Sequence, residues 1–600
     1  MLTLRRDGHR TGRSRRLAAR AVIGATALTV AVGVAALPQA RGEPAALLSA
    51  VAHPKFVQPL PNPLAPGFVW TQDPGSPNHY EIGAYQVRQS VLGPGFPDTT
   101  VWGYGNNLDR TQPATYPGRT FQVQKGTPIT VTWTNNLIDA EGTPLPPLTT
   151  PDPSVEHAMT TTGVPLVAHV HGGHTESVSD GLPDFWFTPG YREVGPLFTS
   201  GHRLDRGDPY VYANDQQAGT LWYHDHALGY TRQNVYAGLA GFYLVRDQTD
   251  TGLAGNPLGL PAYPYEVPIV IQDRMFTSDG QLSYPNGGAI PGVTDDSILP
   301  EMFGDFIVVN GTTWPYLNVE PRKYRLRLLN GSDSRFYTFS LATGSGGSGP
   351  AFSQIGTDDA LLYAPVTRQH ITLGPGERAD VIVDFSGLNG RNLVMRNTAK
   401  TPYPMGSSPD PRTTGRIMQF RVGTAVTVPD PPLPATLRPA PIARLTPTPG
   451  APVRKLLLYE GEDEYGRILP MLGTAAGGAM GFRDPITETP ALGSTEVWEF
   501  YNTTEDAHPI HLHLVSFQIL SRQRFSATQD PVTGALTNVR LRGSPRPPAP
   551  GERGWKDTAQ MFPGEVTRII ATFDRPGLYV WHCHILSHEE HDMMRPFRVI

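Results

Sequence analysis

Alternating apolar and polar residues recur along the chain and predict β-strands. The runs Ile129–Trp133, Tyr324–Leu328 and Val497–Tyr501 each alternate with a period of two. This period suits strands that bury one face and expose the other. Each run ends in a polar turn that contains asparagine, and the three runs resemble one another. We therefore interpret them as three copies of one structural unit.

A second set of copies supports the repeat. The stretch Gly374–Phe385 parallels Phe562–Phe573, and each continues through a turn into another apolar strand, Leu393–Arg396 or Leu578–His582. The three alternating runs begin 195 and then 173 residues apart. A spacing of this size indicates whole domains rather than the short units of a solenoid.

The patterns predict an all-β protein of three β-sandwich domains with long loops and few short helices. We place the domains at residues 50–247, 255–424 and 453–600. The segment 425–452 is rich in proline and should form an extended, semi-rigid linker. The 63 glycines and 61 prolines among 600 residues fit this class, because both interrupt helices and mark turns.

The net charge and the N-terminal segment limit the classes of function that the chain can have. The net charge of −5 argues against a large basic surface for nucleic acid. Residues 1–40 combine an arginine-rich start with a short apolar run and small residues, as an export signal does. The stretch Ser14–Leu17 is similar to a twin-arginine signal, and a retained membrane anchor is the alternative. We expect an exported protein, extracellular or in the cell envelope, with no membrane span in its mature form.

Histidine is the most informative residue type. Ten of the 18 histidines fall in four clusters. Four His-X-His pairs stand out, and in a strand the residues i and i+2 point to the same face. The first two pairs lie in the first predicted domain and the last two in the third. We therefore predict that eight imidazoles meet between these domains and hold several metal ions; they are His169, His171, His224, His226, His511, His513, His582 and His584.

The single cysteine predicts a second kind of metal site. Cys583 lies between His582 and His584, so in a strand its sulfur points to the opposite face. There it can join His508 and His588, with Met593 as a weak axial ligand. Two imidazoles, one thiolate and a distant thioether form the ligand set of a blue-copper site. Zinc, the common alternative for histidine clusters, prefers sites of three or four ligands.

Other residues carry weaker signals. The middle domain's copy of the last strand, Leu393–Arg396, contains no histidine or cysteine, which favours a spacer role for that domain. His174 and His591 lie near ligands in sequence. They are interpreted either as residues that support the ligands or as ordinary packed or solvated side chains.

With these motifs in view, the chain resembles the multicopper oxidases, close to the bacterial spore-coat-type laccases, bilirubin oxidase and o-aminophenol oxidase (phenoxazinone synthase). The resemblance extends over nearly the whole mature chain and includes Thr220–His226, Asn234–Gly238, Gly554–Asp557 and Asp592–Pro596. It implies three cupredoxin-like Greek-key sandwiches and four copper ions.

The resemblance also implies roles for individual residues. It assigns His508, Cys583, His588 and Met593 to a type 1 copper, and His169 and His511 to a type 2 copper. His171, His224, His226, His513, His582 and His584 would hold the type 3 pair. Asp180 and Glu589 match acidic residues that relay protons to the cluster. The bland alternatives are a turn residue for Asp180 and a surface charge for Glu589.

The implied activity is a copper-dependent oxidase. A small aromatic reductant, a phenol or an aromatic amine, gives up single electrons near the exposed edge of His508, beside a variable loop at 523–550. O₂ is reduced to water at the histidine cluster. Aminophenol, bilirubin or Mn(II) oxidation are alternatives within the family, and a copper-binding structural protein without turnover is the alternative from another class. The sequence makes no prediction of oligomeric state.

Overall fold

The computed structural model describes residues 46–199, 204–288, 297–344 and 346–600, and β-strands dominate them. The predicted export segment, residues 1–40, lies outside the described residues and stays a prediction. Among the described residues, no helix has the length and hydropathy to cross a lipid bilayer. The all-β class with few short helices is confirmed.

The described strands fall into three consecutive sets. The first segment contains β1 (His79–Gln89), β2 (Thr99–Asn106), β3 (Gly118–Gln124), β4 (Ile129–Asn135), β5 (Ala168–His171), β6 (Tyr210–Tyr212), β7 (Gly219–Asp225) and β8 (Ala240–Arg246). The middle segment contains β9 (Glu266–Phe276), β10 (Leu282–Ser283), β11 (Phe306–Val309), β12 (Thr312–Thr313), β13 (Tyr316–Val319), β14 (Lys323–Asn330), β15 (Tyr337–Thr343), β16 (Phe352–Gly356), β17 (Leu361–Arg368), β18 (Ile371–Leu373), β19 (Arg378–Asp384), β20 (Asn392–Asn397) and β21 (Arg416–Val422).

The third segment contains β22 (Val453–Glu462), β23 (Ile468–Thr474), β24 (Gly478–Met480), β25 (Ser494–Asn502), β26 (His508–Leu512), β27 (Phe517–Gln529), β28 (Leu536–Arg546), β29 (Thr558–Met561), β30 (Glu565–Phe573), β31 (Gly577–Cys583) and β32 (Met594–Val599). The described α-helices are α1 (Thr231–Ala237) and α2 (Leu586–Glu590), and single 3-10 turns occupy Ser177–Ser179, Pro189–Tyr191, Pro196–Phe198 and Pro550–Glu552.

Each segment forms two sheets, and no described sheet mixes strands from different segments. The first segment has the orders β2-β1-β4-β6 and β3-β8-β7-β5. The middle segment has β12-β11-β9-β14-β19-β16-β17 and β13-β21-β20-β15-β18. The third has β24-β23-β22-β25-β30-β27-β28 and β29-β26-β31-β32. This separation agrees with three sandwiches, while the predicted domain boundaries stay predictions.

The internal repeat inferred from the sequence has a structural counterpart. The three alternating runs become β4, β14 and β25, and each lies parallel to the first long strand of its segment, β1, β9 or β22. The paired Pro-Gly-Glu stretches lead into β19 and β30, which run antiparallel to β14 and β25. The copies therefore share strand pairing as well as sequence.

Burial of apolar and charged groups joins the segments. Val580 and Met594 of the third segment belong to the same buried cluster as Tyr104 and Trp133 of the first. Between the first and middle segments, Arg246 of β8 forms a two-pronged ion pair with Glu266 of β9, at 2.9 and 3.0 Å. Buried charges of this kind persist only when paired, so the pair fixes the relative position of these two segments.

Two regions after the middle segment bear on expectations from the sequence, and one of those expectations is wrong. No described strand or helix occupies 425–452, in agreement with an extended linker. The expected loop at 523–550 is instead mostly a hairpin of β27 and β28. The prediction failed there because bulges and a run of arginines interrupt the period-two pattern that identified the other strands.

Candidate metal centres

Two strand pairs bring the His-X-His pairs onto common faces. In the first segment β5 pairs with β7, and His169 lies directly opposite His224. In the third segment β26 pairs with β31, and His511 lies opposite His582. Directly opposed residues share a face of the sheet, so each strand pair presents several imidazoles in one direction.

The two histidine faces interlock. The rings of His169 and His513 stack with centroids 3.9 Å apart, and those of His171 and His511 stack at 3.7 Å. Each stacked pair combines one ring from the first segment with one from the third. The predicted meeting of eight imidazoles between these two segments is therefore what the structure shows.

The ring nitrogens divide into compact groups. In each group the potential ligand atoms lie within 4.8 Å of one another. The groups are His171, His224 and His584; His226, His513 and His582; and His169, His171 and His511. These groupings agree with the division into a type 3 pair and a type 2 site that the resemblance implies.

Hydrogen bonds fix which nitrogen of each ring faces the cluster. The Nδ1 atoms of His169, His224 and His511 donate to the carbonyl oxygens of Asp180, Asp225 and Asp557, at 2.5, 2.8 and 2.9 Å. The Nε2 atoms of the same three rings are buried and have no hydrogen-bond partner among the described residues. Buried polar atoms are rarely left unpaired. Imidazole nitrogens held in one tautomer by a backbone carbonyl are the usual ligands of copper.

Burial keeps these imidazoles neutral. It lowers the pKa of His224 to about 3 and that of His226 to about 4, because a buried cation loses its hydration. Neighbouring histidines lower the pKa of His224 further. At neutral pH the ring nitrogens therefore offer lone pairs to a metal ion.

Cys583 faces away from this cluster, as predicted. It lies opposite Ile510 on the neighbouring strand, and its sulfur is 3.6 Å from His508 Nδ1 and 3.8 Å from His588 Nδ1. The two nitrogens are 3.3 Å apart. Three ligands each about 2.0–2.3 Å from one ion would have separations of this size. Burial raises the pKa of the Cys583 thiol well above its usual range, so a thiolate here needs an adjacent metal cation.

The surroundings of this site correct one expectation, while the ligand role of Met593 stays a prediction. Met593 is fully buried, and its backbone N–H donates to the His588 carbonyl at 2.9 Å. His508, however, has no exposed edge: its side chain is fully buried, and its Nε2 lies 2.6 Å from Thr504 Oγ1. The expectation of an exposed His508 edge was wrong because the turn after β25 covers the ring.

Asp180 and Glu589 both lie against the histidine cluster. Asp180 Oδ2 accepts a hydrogen bond from His513 Nδ1 at 2.7 Å, although the residue also ends a 3-10 turn. Glu589 is buried, so it is not a surface charge. Its Oε2 is 3.0 Å from His582 Nδ1, but that N–H is directed to the Cys583 carbonyl. Both Glu589 oxygens consequently lack a hydrogen-bond partner within the described part of the chain.

The middle segment also contributes to this cluster, which the sequence patterns did not predict. Asp557 Oδ1 accepts from His171 Nε2 at 3.0 Å, and Arg378 of the middle segment holds Asp557 with both terminal nitrogens, one of them at 2.7 Å. A Cβ on Gly376 would lie 2.8 Å from His584 and 3.1 Å from His171. The recurrence of Pro-Gly-Glu was the available signal, but it did not reveal which copy touches the histidines.

His174 and His591 have no hydrogen bond to a candidate ligand in the described part of the chain. His174 bridges Asp215 and Asp574, at 2.7 and 2.9 Å, and so links the first and third segments. His591 lies 3.4 Å from Asp463.

Comparison with known proteins agrees with this geometry. Family models described as multicopper oxidase match residues 203–250 and 464–600. A laccase of Bacillus subtilis is 38% identical over 91% of this chain and 98% of its own length. The Arabidopsis thaliana multicopper oxidase LPR1 is 35% identical over 91% and 92%. The crystal structure of the Aquifex aeolicus multicopper oxidase McoA superposes with a TM-score of 0.66, at 26% identity, over 90% of this chain and 99% of that one.

Proposed function

This chain belongs to the multicopper oxidase family and is a laccase-like copper oxidoreductase, and we propose that its donors are phenols and aromatic amines. O₂ is the acceptor. The observation that carries the proposal is the position of Cys583 between two histidines of the cluster, with its sulfur beside His508 and His588. One short piece of backbone thus joins two candidate metal sites.

We propose four copper ions with the ligands that the resemblance implies. His508, Cys583, His588 and Met593 would hold the first, and the eight paired histidines would hold the other three. When bound, the copper ions accept single electrons from the donor and deliver four of them to O₂. The unpartnered ring nitrogens of the cluster support this assignment.

The chain's own residues then have defined tasks. The segment His582–His584 places a thiolate on one face and two imidazoles on the other, so it provides the covalent route between the sites. Complete burial of His508, Cys583 and the cluster histidines excludes bulk water. Carbonyl oxygens of Asp180, Asp225 and Asp557 keep the imidazoles in their ligating tautomers.

We further propose that Asp180 and Glu589 supply protons. Reduction of O₂ to two waters consumes four protons, which must cross a dry interior. Among the described residues, Asp180 Oδ1 and both Glu589 oxygens are buried without a hydrogen-bond partner. Burial raises the pKa of Asp180 well above its usual range, so Asp180 holds a proton that it can donate. Burial also raises the pKa of Glu589, but the neighbouring His582 and His226 outweigh it and lower that pKa overall, so Glu589 is a carboxylate that can accept a proton and pass it on.

Oxygen uptake by the copper-loaded protein with a dimethoxyphenol tests the proposed function. We expect uptake with one O₂ consumed for every four donor molecules oxidised. Absence of uptake with phenols, aromatic amines and metal ions would instead favour a copper-binding protein without turnover.

One observation favours Mn(II) as a second candidate donor. Glu460 Oε1 lies 3.6 Å from His508 Nε2, and burial together with Asp506 and Glu505 raises the pKa of Glu460 to about 7. Hard cations prefer carboxylate ligands of this kind. A comparison of kcat/KM for dimethoxyphenol, o-aminophenol, bilirubin and Mn(II) separates these donors, and we expect the phenol to have the highest value.

A further inference from the structure

The hairpin of β27 and β28 presents an exposed strip of arginines. β28 is the edge strand of its seven-stranded sheet, and ten of its eleven residues are exposed. On β27, Arg524 lies directly opposite Arg542, and Ser526 lies opposite Arg540. Opposed residues share a face, so Arg524, Arg540 and Arg542 form one cationic surface, here called the arginine strip.

Most of the strip's charge has no acidic partner within the fold. Arg524 lies opposite Glu565 of β30, but the Glu565 carboxylate pairs with Arg546 at 2.5 Å. Among the residues that the structure describes, no ion pair involves the three arginines of the strip. Like charges placed directly opposite each other repel, so an anionic partner beside Arg524 and Arg542 would relieve their repulsion.

The strip also contrasts with the charge of the rest of the chain. Residues 517–556 contain seven basic and two acidic residues, a net charge of +5. The chain from residue 41 onward carries −11, with 42 basic and 53 acidic residues. Charged residues on an exposed edge strand prevent it from pairing with the edge of another sheet. Protection of this kind requires neither that all the charges are positive nor that arginines lie opposite each other.

The other face of β28 is apolar and exposed. Val539 and Leu541 are 39% and 47% exposed, and they alternate with the arginines of the same strand. Guanidinium groups bind carboxylates and sulfonates and also stack on aromatic rings. An edge with arginines on one face and apolar side chains on the other fits a partner that is both anionic and aromatic.

The hairpin reaches the turn that covers His508. Gln529, the last residue of β27, donates from Nε2 to Thr503 Oγ1 at 2.9 Å, and the next residue, Thr504, contacts His508 Nε2. The eleven residues of β28 extend about 35 Å at the usual rise per residue. Arg540 and Arg542 span only about 7 Å of that length, but the exposed edge as a whole is several times as long as a single phenol, so a polymer held at the arginines can lie along it.

We propose that the arginine strip is a docking surface for an anionic aromatic polymer, such as a sulfonated or carboxylated polyphenol, which it holds on the hairpin that contacts the turn over His508. The inference rests on the proposed laccase activity. Each phenol unit of the polymer loses one electron and one proton and becomes a phenoxyl radical. Four electrons and four protons convert one O₂ into two waters.

The test removes the strip's charge from the copper-loaded enzyme. The triple variant Arg524→Gln/Arg540→Gln/Arg542→Gln is compared with Arg110→Gln/Arg192→Gln/Arg391→Gln, which removes equal charge from exposed positions elsewhere. For lignosulfonate, we expect the strip variant to raise KM about tenfold, ~1.4 kcal/mol, with kcat unchanged. The control variant and the KM for dimethoxyphenol should stay near wild-type values.

Binding of lignosulfonate measured by calorimetry under nitrogen gives a readout without turnover. The strip variant should bind about tenfold more weakly, and dextran sulfate, which lacks rings, should displace lignosulfonate poorly. An unchanged KM and Kd, an equal rise in KM for dimethoxyphenol, or efficient displacement by dextran sulfate would each overturn the proposal. Failure of the laccase proposal is separate, because wild-type enzyme would then oxidise neither donor while binding could still be measured.

Discussion

The two candidate metal sites are built in different ways although they share one strand. His508, Cys583 and His588 all come from the third segment, and β26, β31 and α2 place them together locally. The eight-histidine cluster takes four rings from the first segment and four from the third, and its supporting residues Arg378 and Gly376 come from the middle one. The first site takes all its candidate ligands from one sandwich, whereas the second is assembled by the docking of three.

Two copies of one turn show the same contrast at the level of single residues. Gly376 and Gly564 occupy equivalent positions in the repeated Pro-Gly-Glu sequence, and both have a positive φ, 81° and 66°. A Cβ on Gly376 would meet His584 and His171, but nothing lies within 4 Å of one on Gly564. The same turn is therefore present in both copies of the repeat, but only the copy in the middle segment packs against the histidine cluster.

The largest expected effect comes from a substitution that removes a ligand of the Cys583 site and leaves the histidine cluster intact. Cys583→Ser removes the thiolate of the locally built site, so the intense blue absorption and turnover should fall below detection, while the cluster keeps its copper. Absorption spectroscopy, metal analysis and oxygen uptake measure these quantities. Met593→Leu is the matched control and should stay blue, because an axial thioether is a weak ligand. A blue Cys583→Ser protein would contradict the type 1 assignment.

The next effect concerns the cluster alone. Asp180→Asn and Glu589→Gln should slow O₂ reduction about 10²-fold, the usual contribution of a positioned proton donor. The blue site should remain, and a donor should still bleach it without air. Rapid-mixing measurements of reoxidation check this, with Glu141→Gln, at an exposed position, as the control. Wild-type reoxidation rates over the whole pH range would refute the relay.

A smaller effect tests the two copies of the turn. Gly376→Ala and Gly564→Ala should each cost about 1–2 kcal/mol of folding stability, because both place a side chain in the left-handed region. Gly376→Ala should in addition weaken copper binding at the cluster about 10–100-fold, as outer contacts of metal ligands do. Copper content after dialysis against a chelator measures the difference. Equal copper loss in both variants would contradict a special role for the middle segment.

The smallest effect probes the docking of the first segment on the third. Burial lowers the pKa of His174, but hydrogen bonds to Asp574 and Asp215 outweigh it and the pKa is raised overall; Arg575 also contacts the ring. A raised pKa stabilises the fold below the unfolded value and the contribution is lost as pH rises through the folded value. Asp574→Asn should therefore lower the unfolding midpoint more at pH ~5.5 than at pH ~9.

Asp98→Asn, at an exposed position, is the control for this last prediction and should show no such pH dependence. Because the groups are partly exposed, the difference should remain below about 1 kcal/mol. A larger deficit of Asp574→Asn at high pH would contradict the assigned role of His174.

The period-two pattern correctly predicted the structural features that depend on local sequence. The alternating runs became β4, β14 and β25, and the i, i+2 spacing correctly placed Cys583 on the face opposite His582 and His584. These outcomes follow from the pleat of a strand, because successive side chains in any strand point to opposite faces. The candidate ligand sets of the two sites could be predicted from the sequence for the same reason.

The failures have two different causes. Arg378 and Asp557 are 179 residues apart, and no local pattern indicates that one holds the other, so this contact depends on tertiary docking. The cover over His508 comes from Thr504, only four residues away, and its sequence neighbourhood resembles any other turn. The hairpin at Phe517–Arg546 escaped prediction because its arginines and bulges mask the alternation.

Anomalous diffraction at the copper edge, from crystals of fully reconstituted enzyme, would locate each metal ion and its ligands. We expect four copper peaks per chain. One should be bonded to Cys583 Sγ and to the Nδ1 atoms of His508 and His588, and three should lie among the eight paired imidazoles. A Cys583 sulfur without a bonded metal ion, or a cluster with fewer than three ions, would contradict this expectation.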